Sequence, residues 1–462
     1  MKKKLVSVLL VSAMAATMLA GCGGNGGSSD SNSGTQAGDK TAAKGSVYLL
    51  NFKPETDEAW QNLAKTYTDQ TGVDVTVLTA ADGQYNTTLQ AEMAKAEAPT
   101  IFTVGNSAAA KTWEDYTMDL SDTALYDHLT DKSLTLKSGD KVVSVANCYE
   151  CYGLIYNKTI LEGYCGMDGA VVKSVDEINN FDTLKAVADD INSRVDEIND
   201  ALGTNLTEAF ASAGLDDGSS WRFSGHLANM PLYYEFKDDG ADLIAGEEKI
   251  TGKYLDNFKA VWDMYTSDSA ADPKTLNSGA LNAEAELGMG EAVFYQNGDW
   301  EFSPLTNPDN GYTVTAEDLS MMPIYFGVDD ENQGLCVGTE NYWAVNQKAD
   351  QEDIDASLDF LEWCITSDEG RDAITNAMGL TAPFDTFTGD YETKNAFAQA
   401  SNALMSAGKT SVAWTFTTMP SENWKNGVGS ALLEYAQGTG DWAAVETAFV
   451  DGWATEYAAS NN

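Results

Sequence analysis

Apolar and polar positions alternate with a clear period from Ser46 onward. "SVYLLN" (46–51) reads as a strand, and Trp60, Leu63, Ala64 and Tyr67 recur at the i, i+3, i+4, i+7 spacing of an amphipathic helix. Gly72 follows where a helix C-cap glycine belongs. "VDVTVLT" (73–79) has the two-residue period of a second strand; a helix over 84–96 is stopped by Pro99, and "TIFTV" (100–104) is a third strand. This β-α-β-α-β order predicts an open, largely parallel sheet, in which ligands collect at the carboxyl ends of the strands. Those ends are 51–56, 80–82 and 105–107.

Downstream, "CYGLIYNKTIL" (151–161) predicts a strand and a turn, and 181–191 a helix with Phe181, Leu184, Val187 and Ala188 on one face. Gly, Asp and Ser punctuate 205–220, which reads as a loop. "WRFSGHLANMPLYYEF" (221–236) predicts a buried helix interrupted near Pro231, and 254–265 a further helix. "GEAVFYQNGDWEF" (290–302) reads as strand, tight turn and helix start; "SMMPIYF" (320–326) and "YWAVNQ" (342–347) are strands. Helices are predicted over 352–365, 393–406, 422–436 and 442–457, and no internal repeat is found.

The amino terminus sets the expected compartment. Lys2, Lys3 and Lys4 precede an uncharged apolar run, Leu5 to Leu19, too short to span a bilayer comfortably. Leu19-Ala20-Gly21-Cys22 resembles the bacterial lipobox, which implies a signal peptide over 1–21, cleavage before Cys22 and acylation (palmitate) of that residue. The Gly/Ser-rich stretch 22–45 reads as a tether with a reach of about 25–30 Å. The expectation is a folded body held at the extracellular face of the cell membrane by its lipid anchor alone.

With 71 acidic and 27 basic side chains the net charge is −44, a field that repels phosphate backbones and anionic headgroups. Nucleic acid is therefore not an expected partner. His128 and His226 are the only histidines, too few for a His-rich zinc site, and no metal or cofactor is expected. Beyond Cys22 there are five cysteines, Cys148, Cys151, Cys165, Cys336 and Cys364; Cys148 or Cys151 pairs with Cys165, or all are buried thiols. The C-x-x-C in "NCYECYGLIYNK" (147–158) flanks a strand. A redox pair belongs instead at a helix N-terminus, so Glu150 between the two thiols is the stronger functional candidate.

The lipobox, the β-α-β-α-β opening, "YGLIYNK", "GEAVFYQNGDW", "MMPI" and "YWAVNQKADQEDIDASLDFLEWCITSDEG" together resemble the family 1 extracellular solute-binding proteins of ABC importers, which include maltose-binding proteins. The resemblance runs from about Ser46 to Ala458 and implies an α/β, periplasmic-binding-protein-like two-lobe clamp (type II). Each lobe would be a mostly parallel sheet flanked by helices, joined by crossing hinge segments. The expected lobes are 46–149 with 326–384, and 150–325 with 385–462; extra length around 171–220 reshapes the rim. The implied partners are a carbohydrate and the membrane permease subunits, with the protein acting as a monomer and breaking no bond.

Sugar rings stack on aromatic faces, and their hydroxyls are met by charged or amide groups. Trp300 and Glu150 match the stacking aromatic and the hydrogen-bonding glutamate of maltose-binding relatives. Trp424 falls near a second stacking aromatic, and Trp221 and Phe223 near a third, with core packing as the alternative. Lys53, Glu55, Asp82 and Asn106, at the ends of the first three strands, are candidate hydroxyl partners, while Trp343 and Trp363 read as core. Maltodextrin-like glucans are the first expected solutes. A polyamine binder is the main rival reading, and an extracellular glycoside hydrolase, needing two carboxylates across a scissile bond, the second.

Overall fold

The computed structural model describes residues 45–460 apart from 82–83, 133, 217, 242 and 244–245. The expected leader, the expected acylation site Cys22, nearly all of the expected tether and Asp82 lie outside the described residues.

The first sheet joins β1 (Val47–Asn51), β2 (Val75–Thr79), β3 (Ile101–Val104), β4 (Thr135–Ser138), β5 (Lys141–Ala146) and β11 (Tyr342–Val345) in the order β2-β1-β3-β11-β5-β4. Its strands split their side chains between two cores, as a period of two requires. Leu49, Ile101, Val145, Trp343 and Val345 enter one core, whereas Leu50, Phe102, Ala146, Tyr342 and Ala344 enter the other. The helix Asp57–Thr71 buries Trp60, Leu63, Ala64 and Tyr67 as its spacing predicts, and Gly72 ends it at φ 71° with its N–H on the Thr68 carbonyl.

The second sheet holds β6 (Glu150–Asn157), β7 (Glu208–Phe210), β8 (Ala292–Gly298), β9 (Leu319–Met322), β10 (Gln333–Gly338) and β12 (Thr410–Ala413). Its order is β12-β10-β6-β8-β7, with β9 also on β6. Both sheets are mixed rather than mostly parallel: β1 pairs parallel with β2 and β3, but β11 runs antiparallel to β3 and β5. In the second sheet β6 is antiparallel to β8, β9 and β10. β11 and β6, each arriving from the other lobe, run against their neighbours, and β4 and β5 add an antiparallel pair within the first lobe.

Three segments connect the lobes, between β5 and β6, between β10 and β11, and between the end of the first core near Phe384 and the helix Ala396–Ser406. They are tied together. Asn147 N–H donates to the Asn341 carbonyl at 2.9 Å, and Tyr149 N–H to the Thr381 carbonyl at 2.9 Å. β10 stays in the second sheet, so the chain re-enters the first sheet at Tyr342, later than the expected boundary at 326.

Two local expectations change. The segment read as a loop over 205–220 contains β7, which pairs parallel with β8. The 221–236 segment breaks before Pro231: Arg222–Leu227 is a π-helical turn, and Pro231 is the third residue of the helix Asn229–Asp239, where a missing N–H costs no intrahelical bond. The five described cysteines, Cys148, Cys151, Cys165, Cys336 and Cys364, are free and buried. Among the described residues no helix is long and apolar enough to cross a membrane, and no His/Cys/Asp/Glu group is arranged to hold a metal.

Candidate functional site

Lys53 leaves the carboxyl end of β1, where Asn51 Nδ2 holds its carbonyl at 2.7 Å and starts the turn Pro54–Thr56. Its ammonium donates to Glu150 Oε1 at 2.5 Å and to Glu55 Oε1 at 3.3 Å. The other Glu150 oxygen accepts from Asn341 Nδ2 at 3.0 Å, so both carboxylate oxygens are engaged. Glu150 opens β6 and Asn341 precedes β11; this buried pair therefore knots two of the crossing segments and anchors the first strand's loop to them. Burial opposes the Lys53 charge, but Glu150 and Glu55 outweigh it and hold the ammonium well above its ordinary range. Lys53 is a fixed cation.

Facing this knot is an aromatic group from the second lobe. β8 ends at Gly298, and Trp300 sits in the following turn Asp299–Glu301. Gly298 is extended (φ −113°, ψ −178°) rather than a turn residue; a Cβ there would lie 2.2 Å from the Trp300 ring. The glycine of "NGDW" thus lets the indole fold back over its own strand. Around Trp300 stand His226 at 5.5 Å, Trp221 at 6.0 Å and Trp414 at 6.5 Å between ring centroids, and the Lys53 ammonium lies 6.0 Å from the ring. Phe416 closes the group, 4.8 Å from His226 and 5.0 Å from Trp414.

His226 is stacked on Tyr152 at 4.3 Å and 9°, and the Tyr152 hydroxyl donates to its carbonyl. Burial, with Lys425 and Arg222 nearby, pushes its imidazole down to about 3, so it acts as a neutral ring. The flanking carboxyls behave oppositely. Burial and the Glu150 charge hold Asp299 well above the usual carboxylate range; burial and Glu284 push Glu301 up to about 8. Beside Trp300 a small cavity is lined by Glu55, Glu150, Asp299, Thr381 and Asn395.

The predicted residues divide. Lys53, Glu55, Glu150, Trp221 and Trp300 converge on this cleft, with Glu55 exposed on its rim. Asn106 lies at the end of β3, where its side chain accepts from Ala109 N–H at 2.8 Å and caps a short helix. Trp424 is 2 % exposed in the core against Phe449 and Trp453, and its Nε1 donates to the Phe449 carbonyl. Phe223 is buried against Trp262 and Tyr265. Neither lines the cleft; a side chain facing inward from a helix packed on its neighbours has no route there. Trp343 and Trp363 pack in the first lobe, as predicted.

Sequence reasoning missed Trp414, His226, Phe416, Asp299 and Asn341. The "WTF" triplet after β12 was the available signal for two of them: aromatics in a short turn beyond a strand end.

The family model for bacterial extracellular solute-binding proteins matches residues 62–399. A search of curated proteins finds no match. Among solved structures, a family 1 extracellular solute-binding protein from Bifidobacterium longum subsp. infantis is similar at TM-score 0.59 and 17 % identity, over 90 % of this chain and all of that one. The GacH receptor of Streptomyces glaucescens is similar at TM-score 0.64 and 15 % identity, over 90 % and 99 % of the two chains. RafE from Streptococcus pneumoniae, in its apo form, is similar at TM-score 0.63 and 14 % identity, over 90 % and 99 %. At such identities these likenesses carry the fold. The family match, spanning most of the chain, carries more: this protein belongs to the bacterial extracellular solute-binding proteins.

Proposed function

We propose that the protein captures a carbohydrate, an oligosaccharide with maltodextrin-like glucans as the first candidates, by closure of its two lobes, and delivers it to an ABC permease. The observation that carries this reading is the juxtaposition of Trp300, Trp221 and Trp414 with the Lys53–Glu150–Asn341 group: flat apolar faces for rings beside charge-assisted partners for hydroxyls. Similar folds have been solved with raffinose in RafE and with acarbose in GacH, which supports the solute class. Lobe 1 contributes Lys53 and Glu55, lobe 2 the aromatic group, and Glu150 lies at the crossing. Cys22 is the proposed lipid anchor, and the monomer the proposed working unit.

Calorimetry of the mature protein against maltotriose, raffinose, xylotriose and spermidine tests this. Saturable binding of a sugar, without turnover, is the expected result. Binding of spermidine with no sugar binding overturns the carbohydrate reading, and hydrolysis of a bound sugar overturns the transport reading.

A further inference from the structure

The cavity beside Trp300 poses a charge problem. Glu55, Glu150 and Asp299 supply three carboxyl groups to its wall, and Lys53 is the cation bound among them. Glu150 is fully engaged by Lys53 and Asn341. Asp299 is 5 % exposed, lines the cavity, and its Oδ1 has no hydrogen-bond partner. Thr381, which also lines the cavity and is 8 % exposed, leaves its Oγ1 unpartnered as well. Orphaned buried oxygens on two residues that line one space cost about 1–3 kcal/mol each unless something pairs with them. The space is about 20 Å³, room for one water-sized group.

We propose that the cavity lined by Asp299 and Thr381 receives a single primary ammonium group of the solute, so that the site selects amine-bearing solutes over the neutral glucans named above as first candidates. An ammonium brings three donors and one positive charge, meeting both orphaned oxygens and offsetting the carboxyl excess. It also suits the adjacent Trp300 face, and a chain of net charge −44 attracts cations to its surface. A sugar hydroxyl can donate to the Asp299 oxygen and accept from the Thr381 hydroxyl, but it brings no positive charge to the carboxyl groups. If the carbohydrate reading above holds, on which the ring stacked beside the cavity rests, the amine belongs to an amino sugar; otherwise it is the end of a polyamine.

The charged and titratable groups around Asp299 are Glu150 and the Cys151 thiol from β6, the Cys148 thiol just before it, Lys53 and Glu55 from the loop after β1, and Glu301 on its own turn. Burial and the Glu150 charge favour the protonated form of Asp299 when no further cation is near. A neighbouring ammonium favours the carboxylate, so amine binding draws Asp299 towards ionisation and releases protons to solvent as the ion pair forms.

Calorimetry at pH 6 in two buffers of different ionisation enthalpy measures both quantities, with the glucosamine trimer, its N-acetylated form, maltotriose and spermidine as probes. The amine trimer is expected to bind at least about tenfold tighter than its acetylated form, with proton release. Asp299→Asn abolishes both the preference and the release. Thr381→Val, which keeps Asp299, weakens amine binding several-fold and retains the release; it serves as the test if Asp299→Asn does not fold. Equal or tighter binding of the acetylated trimer or maltotriose, without proton release, overturns the amine site while leaving the carbohydrate reading standing. Spermidine binding with proton release and no sugar binding does the reverse.

Discussion

Trp300 stands on a glycine and faces a fixed lysine, and both neighbours define what its removal should do. The ring is half-buried and packs against other aromatics of the cleft rather than the deep core. Trp300→Ala is therefore expected to lower solute affinity by at least about tenfold, read by calorimetry, with little change in melting temperature. Trp363→Ala removes contacts with Tyr67 and Phe360 and should do the opposite, costing about 2–4 kcal/mol of stability with affinity intact. A pH effect belongs at this scale too. Glu301 titrates near 8 in the folded protein against 4.5 ordinarily, so the native state binds the extra proton between those values. Stability from this group is present below about 4.5 and is lost as pH rises through about 8. Glu301→Gln should flatten that limb of a melting-temperature profile. His226 pulls the other way at lower pH: folded neutral down to about 3, it adds stability as pH climbs from 3 towards 6.5.

Among segments, the crossing strands matter most, and here glycine has a second use. A Cβ on Gly338 would lie 2.5 Å from the Trp414 side chain, where β10 leaves the second sheet. Gly338→Ala should displace Trp414, weaken solute binding and cost about 1–3 kcal/mol, checked by denaturant titration alongside calorimetry. The long elements were legible because their periods are long: four buried residues on Asp57–Thr71, seven on Gln351–Thr366. The short ones were not. β7 is three residues inside a Gly/Asp-rich stretch, and β12 is four with one buried position, too little alternation to register. Glu150 and Trp300 were reachable from local motifs; His226 and Asn341 were not, because the first joins the cleft by packing on Tyr152 and the second by bonding to Glu150, both far away in sequence. Trp424 was chosen and Trp414, ten residues earlier, was passed over, because only packing separates a helix's inner face from a strand-end turn.

For the molecule as a whole, two lobes joined by three tied segments imply a hinge with few degrees of freedom. A solute that binds the closed form should compact the protein in small-angle scattering and, at 100 times its dissociation constant, stabilise it by about 2.7 kcal/mol. Unchanged scattering on saturation would argue against closure. The α/β class was readable from the opening β-α-β-α-β. The insertion of β11 between β3 and β5 was not, since a strand's neighbours are set by the fold and not by its own residues.

The buried thiols have a practical consequence. Cys148, Cys151, Cys165, Cys336 and Cys364 are all buried, and burial holds each thiol above its ordinary range, so alkylating reagents should find them slow to react in the native protein. An introduced surface cysteine at Glu55, on the rim opposite Trp300, would then be the fast-reacting position in the folded body. A fluorophore attached there, quenched by the indole to a degree set by the cleft, would turn the protein into an optical sensor for its own solute.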